Sequence, residues 1–352
     1  MAMTRTFGAL VALGAAVALT VSAAPAQAAN SYVALGDSYS SGTGTRTYIN
    51  DGTSCQRSVY AYPSLISASK GLALNVRACS GAKVADVTNT QLSALTSATT
   101  QVSISVGGND AGFADVLTEC AQPGWMSDCN GAIDGAQNIV NNTLPTRLST
   151  LYAAIRAKAP NAKVVVVGYP RIFQGEDCNA FTWFSPAEET RLNQMADLLN
   201  SKTSAQAAAR GFSFVNPTSR FTGHAVCDAT EWLNGLSNPI GESYHPNVAG
   251  HRDGYAPLVS TPLTGSALRV SSTTLRTAEL SAGRLATQQG RYASADASIR
   301  PEQFRTPDLS TARAKAAAQR AGVDLGSRAS IDAADRVWSD RQAAAARTTT
   351  SR

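Results

Sequence analysis

Apolar positions recur at two spacings along this chain, and short runs of strand character alternate with longer stretches of helical character. Tyr32 to Leu35 form a short buried run that stops at Gly36-Asp37-Ser38, a residue free to take positive φ followed by two that favour turns. Leu74 to Ala78 alternate weakly and end at Cys79-Ser80-Gly81, whereas Val102 to Val106 alternate strictly and lead into Gly107-Gly108-Asn109-Asp110. Lys163 to Gly168 are continuously apolar after the lysine, the pattern of a parallel strand covered on both faces, and Phe212 to Val215 read as the last strand. Between these runs the spacing turns helical. Ala61 to Lys70 carries Pro63 in its first turn and ends at Gly71. Ile139 to Ala159 puts Leu144, Leu148, Leu151 and Ile155 on one face, with Pro145 expected to kink or restart it. Glu188 to Ala209 turns Leu192, Met195, Leu198 and Leu199 inward.

Strands alternating with helices predict a three-layer αβα sandwich around a central parallel sheet of about five strands. In the flavodoxin-like order 2-1-3-4-5, strand 1 lies beside strand 3 and the chain leaves them in opposite directions. The turns at Ser38 and Asn109 then face one crevice at the carboxyl ends of the strands, where such sheets bind ligands.

The ends of the chain differ from this middle. Arg5, an Ala-rich apolar run from about Ala9 to Ala24 and the sequence Ala26-Gln27-Ala28 read as a signal peptide over residues 1–28, so the mature chain is expected outside the cell. No other stretch approaches the ~18 apolar residues of a transmembrane helix. The 352 residues, 43% hydrophobic, suffice for one large domain over residues 29–262 with an appendage. Residues 263–352 lack cysteine, are rich in Ala and Ser, and hold 14 basic against 8 acidic residues, a net charge of +6. This stretch reads as a weakly packed or partly disordered extension, with short helices at Ala312 to Ala321 and Ile331 to Ala346 and a surface suited to electrostatic contact with anionic polymers or lipids. The whole-chain charge of +5, without clusters of basic and aromatic residues, argues against nucleic acid as a partner.

Six cysteines in a secreted chain favour disulfides over thiols. Six cysteines allow 15 connectivities, of which pairing in sequence order, Cys55-Cys79, Cys120-Cys129 and Cys178-Cys227, closes short loops and is the simplest. There is no Cys-x-x-Cys pair and no cluster at metal-ligand spacing, so neither metal nor cofactor is implied. Ser38, presented at a strand end, is a candidate nucleophile, and a nucleophilic serine needs a base. Of three histidines, His245 is followed by Pro246, which holds it in an extended or turn conformation from which it can reach across the crevice. His224 and His251 read as loop or surface residues.

Taken in order, Gly36-Asp37-Ser38, Gly81, Gly107-Gly108-Asn109-Asp110 and Ser243-Tyr244-His245-Pro246 resemble the four sequence blocks of the SGNH hydrolases, also called GDSL lipases and esterases. The resemblance spans roughly Ala29 to Leu263 and is closest to secreted bacterial lipases and phospholipases with three sequential disulfides. It implies Ser38 as nucleophile, His245 as general acid and base, and an oxyanion hole made by the backbone N–H groups of Ser38 and Gly81 and the side-chain amide of Asn109. Asp37 and Asp110 would hold turns. The family commonly has aspartate three residues before the histidine, where this chain has Glu242. The resemblance therefore offers two ways to orient His245, the main-chain carbonyl of Ser243, which some secreted members use, or the longer Glu242.

The implied function is a monomeric secreted lipase or esterase, with phospholipids among its substrates, and Tyr39, Phe113, Trp125, Trp183, Phe184 and Trp232 are candidates for an acyl groove. A carbohydrate acetyl esterase of the same fold is the alternative, and a non-catalytic surface-binding protein is the alternative from another class.

Overall fold

The computed structural model describes residues 1–4 and 30–350, with side chains to residue 345, so the leader read over residues 1–28 lies outside the described residues beyond its first four. Five strands, β1 (Ser31–Gly36), β2 (Ala73–Val76), β3 (Thr99–Ser105), β4 (Lys163–Val167) and β5 (Ser213–Val215), form one sheet. Its order is β2-β1-β3-β4-β5 and every pairing is parallel. The expected doubly wound sheet is present. Val102 and Ile104 of β3 are buried, and so are the serines between them and after them. An alternating strand would ordinarily turn its polar face to water. Here the serines stay inside because they are hydrogen-bonded: the hydroxyls of Ser103 and Tyr32 lie 2.7 Å apart, and Ser105 donates to Asp37 Oδ1 at 2.7 Å.

On one face pack α1 (Tyr62–Lys70) and, from later in the chain, the helices Ala256–Thr264 and Ser272–Leu280; on the other lie α2 (Phe113–Cys120), α3 (Cys129–Asn142), α4 (Leu144–Lys158) and α5 (Pro186–Ala208). The long helical pattern around Pro145 restarts. α3 ends at Asn142, and α4 begins two residues later with proline in its first turn, where a missing N–H costs no hydrogen bond. The Ala256–Thr264 and Ser272–Leu280 helices are α6 and α7. They are followed by α8 (Ala282–Gly290), α9 (Ala312–Ala321) and α10 (Arg328–Thr350).

This last region departs from the expectation of a weakly packed extension. Residues 265–345 lie against the domain: α7 packs on α1, α8 on β2 and α10 on α5. Apolar burial and charge both hold it: Leu268, Ala278, Leu285, Ile299 and Phe304 join the domain's core, and a buried charged cluster fastens the segment between them. Asp296, fully buried, bonds Arg57 Nη2 at 2.7 Å and both terminal nitrogens of Arg77 at 3.0 and 2.7 Å, and Arg57 also meets Asp51 at 2.8 Å. Burial alone would raise the Asp296 pKa, but the hydrogen bonds and charges of Arg77 and Arg57 outweigh it and hold the carboxyl below its ordinary range. A composition count over residues 263–352 misses this because a few scattered apolar residues and a single aspartate make the attachment. Among the described residues no helix is long and apolar enough to cross a membrane.

Candidate active site

Gly36 ends β1 at φ 119°, and a Cβ there would lie 2.1 Å from the Ser105 carbonyl oxygen, so only glycine lets the chain turn this close to β3. Asp37 then caps a single helical turn, Ser38–Ser41, its carboxylate accepting from Tyr39 N at 3.1 Å. The same carboxylate accepts from Ser105 Oγ and from the hydroxyl of Tyr169. Burial pushes its pKa up to about 6, and these hydrogen bonds offset part of that rise. Asp37 thus fixes the backbone that presents Ser38. Asp110 does the same for another turn, accepting from Val84 N at 2.9 Å.

Three strand-end turns interlock. Cys79 N donates to Gly36 O at 3.0 Å, Asp37 N to Ser105 O at 3.0 Å, and the Asn109 amide to Ala82 O at 3.0 Å. The sequential disulfides Cys55-Cys79, Cys120-Cys129 and Cys178-Cys227 are all formed, and the first ties the loop after Ser38 to the Gly81 turn.

The histidine arrives from the far end of the domain. Residues 244–247 run against 232–234, with Tyr244 N donating to Asn234 O, Asn234 N to His245 O and Asn247 N to Trp232 O, each at 2.9 Å. Tyr244 adopts φ 61°, an unusual state for a bulky residue, and packs against Phe173, Phe184 and Phe304. Its carbonyl accepts from Tyr39 OH at 2.8 Å, which joins the histidine loop to the serine turn. His245 Nε2 lies 2.9 Å from Ser38 Oγ and Nδ1 lies 2.9 Å from Ser243 O. A carbonyl oxygen can only accept, so Nδ1 carries the proton and Nε2 is left to accept from the serine hydroxyl. Burial lowers the His245 pKa to about 4, although the hydrogen bond to Ser243 works the other way.

Glu242 is not brought to the imidazole. It is buried with Oε1 accepting from Tyr48 OH at 2.6 Å, and Arg46 stands 3.7 Å from Oε2. His251 departs from its surface assignment: it is fully buried and its Nδ1 accepts from Tyr62 N at 3.3 Å, because the helical turn 250–255 faces α1. His224 stays in a loop, stacked on Trp232 at 3.7 Å.

An apolar cavity of about 70 Å³ opens beside Ser38, walled by Tyr39, Phe113, Leu117, Ile172, Met195 and Leu199. Of the aromatics expected there only Tyr39 and Phe113 take part. Trp183 instead bonds Asp332 of α10, Phe184 packs on Phe173 and Trp232 on Phe221, and Trp125 is not in the wall. Leu192, Met195 and Leu199 of α5, which periodicity assigned to ordinary core, supply one side of the wall. Tyr169 was also missed. Its hydroxyl links Asp37 to Gly108 N, and its place directly after β4, at a strand's carboxyl end, was the available signal.

The GDSL-like lipase/acylhydrolase family matches residues 34–252, which contain Ser38, Gly81, Asn109, Ser243 and His245. The chain belongs to that family. It is a carboxylic ester hydrolase. It is 45% identical over 256 residues to Lipase 1 of Streptomyces coelicolor, covering 71% of this chain and 94% of the relative. Among solved structures it resembles a phospholipase A1 from Streptomyces albidoflavus NA297, with 42% identity, TM-score 0.63, and coverage of 67% of this chain and 100% of that one. An extracellular lipase from Streptomyces rimosus gives 41% identity and the same TM-score over 66% of this chain and 100% of the other. A third of this GDSL-family chain therefore has no counterpart in either structure.

Proposed function

We propose that this protein is a secreted lipase with phospholipase character that cleaves acyl esters of lipids through an acyl-serine intermediate, using a Ser38/His245 dyad oriented by the Ser243 carbonyl. The single observation that carries this is the relay Ser38 Oγ, His245 Nε2, His245 Nδ1, Ser243 O, with both contacts at 2.9 Å, beside an apolar cavity.

His245 takes the Ser38 proton as Oγ attacks the ester carbonyl carbon, and the carbonyl π electrons move to oxygen. The oxyanion is held by the backbone N–H groups of Ser38 and Gly81 and by Asn109 Nδ2, donors fixed before the reaction; losing one such donor typically costs about 3 to 4 kcal/mol of transition-state stabilisation. The C–O bond to the alcohol then breaks, with the His245 proton going to the leaving oxygen. Water, deprotonated by His245, attacks the acyl carbon, and Ser38 departs with that proton. The transient imidazolium is met by the Ser243 carbonyl dipole rather than by a carboxylate.

Three disulfides suit an oxidising compartment. On this reading the chain works outside the cell as a monomer, and Arg269, Arg284 and Arg291, all exposed on the extension, favour anionic surfaces. The test is hydrolysis of p-nitrophenyl decanoate, a triacylglycerol emulsion, phosphatidylcholine and acetylated xylan by the mature protein, Ser38→Ala and Glu242→Ala. We expect Ser38→Ala to lose at least about 10⁴-fold in kcat on the long-chain esters, and Glu242→Ala to stay within about threefold. Turnover confined to acetylated xylan would make the protein a carbohydrate deacetylase. A collapse of Glu242→Ala to the level of Ser38→Ala would return the orienting role to the carboxylate.

A further inference from the structure

Residues 299–308 of the extension form no helix or strand. Arg300 and Thr306 each precede a proline, which disfavours helical backbone at both, and the segment crosses the domain as an extended strap. Both of its flanks are fastened. Upstream stands Asp296 on Arg57 and Arg77; downstream, Arg313 pairs with Glu119 at 2.6 Å and Asp335 accepts from Gly124 N at 2.8 Å.

Between these anchors the strap touches three parts of the crevice in sequence. At Gly81, with φ 84°, a Cβ would lie 2.3 Å from the Arg300 carbonyl oxygen and 2.6 Å from Pro301 Cα, so the strap backbone rests directly on this glycine. Glu302 pairs with Lys83 at 2.7 Å and Gln303 lies beside Gly241. Phe304 is buried edge-on against Tyr244 with ring centroids 5.0 Å apart, and Arg305 N donates to Thr118 Oγ1 of α2 at 3.0 Å. None of these strap residues lines the apolar cavity beside Ser38. The acyl side of the site is therefore built by the domain alone, and the strap borders the other side.

Which part of the ester faces the strap follows from the proton path. His245 must protonate the leaving oxygen, so the alcohol lies on the His245 side of the scissile bond, and the strap backs that side through Phe304, packed on the buried ring of Tyr244 that precedes His245. Resting on the reading of Ser38 and His245 above, we propose that residues 299–305 are a specificity element for the leaving alcohol: the strap in place favours esters of small alcohols and restricts bulky ones such as a lysophospholipid. The strap lies beyond the residues matched by the family, so this restriction belongs to the extension of this chain.

The experiment compares two substrates of equal acyl length and different alcohol, p-nitrophenyl decanoate and didecanoyl phosphatidylcholine, in the full-length mature protein. A recognition sequence for a site-specific protease is inserted in the exposed segment after Thr306, and kcat/KM is measured before and after the cut, which frees one end of the strap while both anchors keep the chain assembled. We expect the cut to raise kcat/KM at least tenfold on the phospholipid, within threefold on the p-nitrophenyl ester. Glu302→Lys, which turns the Lys83 pair into a repulsion and leaves the crevice residues untouched, moves the same ratio in the same direction by a smaller factor. An equal rise on both substrates, no change, or a fall on the phospholipid overturns the proposal. Ser38→Ala carried alongside separates the two readings: residual p-nitrophenyl turnover in that variant counts against the site, whereas an unchanged ratio in a Ser38-dependent enzyme counts against the strap alone.

Discussion

In the crevice, Ser38, His245 and the Ser243 carbonyl meet as neutral dipoles, whereas beneath the extension Arg57, Arg77, Asp51 and Asp296 bring two guanidinium and two carboxylate groups into the interior. Truncating a crevice side chain strands a neutral hydrogen-bond partner and no charge, so its cost is the smaller one. In the charged cluster it strands an ion. Each ion has been taken out of water and depends on its partners to offset that cost. Chemistry and attachment are thus separable in this molecule, and substitutions in the two places should fail in opposite ways.

The largest expected effect is at the anchor. Asp296→Ala leaves Arg57 and Arg77 facing each other without their shared carboxylate and should cost about 3 to 5 kcal/mol of stability in urea unfolding, while Ser38→Ala, which leaves only the neutral His245 Nε2 without its partner, should cost about 1 kcal/mol. Because the Asp296 pKa is held down in the folded state, its contribution is present above the ordinary carboxylate range and is lost as pH falls through the folded value. Equal stabilities for the two variants would break the contrast.

A second prediction sharpens the crevice side. His245 must be neutral to accept the Ser38 proton, and burial has pushed its pKa down to about 4. The acid limb of kcat/KM should therefore fall near pH 4, tenfold per pH unit below it, instead of near the ordinary histidine value of about 6.5. Folding works against the measurement: His245 and His251, lowered to about 4 and about 3, bind protons more readily when unfolded, so stability declines as pH drops below about 6.5. Initial rates should accordingly be read immediately after dilution from a neutral stock. Because Asp37, which holds the Ser38 turn, is itself raised to about 6, the decisive result is a limb at pH 6 to 7 that persists in Asp37→Asn, which would mean that the imidazole is not in the desolvated setting described.

The turns at Ser38, Gly81 and Asn109 were legible because they end strands in glycine-rich, turn-forming residues, whereas His245 lies in a loop and was picked out by Pro246 and by the resemblance to the SGNH blocks. The parallel sheet followed from the alternation of strand and helix periods, and its order is one of the doubly wound orders such sheets adopt. What could not be read was long-range and carried by single residues. Nothing near Asp296 marks it as the partner of arginines more than two hundred positions away, and Arg57 and Arg77 look like ordinary surface cations until the fold buries them. The cavity wall was misread for a related reason: Leu192, Met195 and Leu199 have the same helical spacing whether they fill a core or line a cavity beside it.

The smallest predicted effect tests whether pairing, rather than burial itself, is what makes the charged cluster tolerable. Glu189, in the first turn of α5, is fully buried, and neither carboxylate oxygen has a close hydrogen-bond partner. Burial pushes its pKa up to about 7, partly offset by the Gly175 backbone and reinforced by Asp177, Glu176 and Glu188. The folded state then holds a proton that the unfolded state releases near pH 4.5, so stability falls as pH rises from there through 7. Glu189→Gln removes that titration while keeping the shape of the side chain. At pH 8 the variant should be more stable than the parent by about 1 to 2 kcal/mol, and at pH 5, where the parent carboxyl is already protonated, the two should agree within about 0.5 kcal/mol. A variant no more stable at pH 8 would show that this acid finds compensation that Asp296 receives only from Arg57 and Arg77, and the distinction between paired and unpaired buried charge would lose its clearest instance.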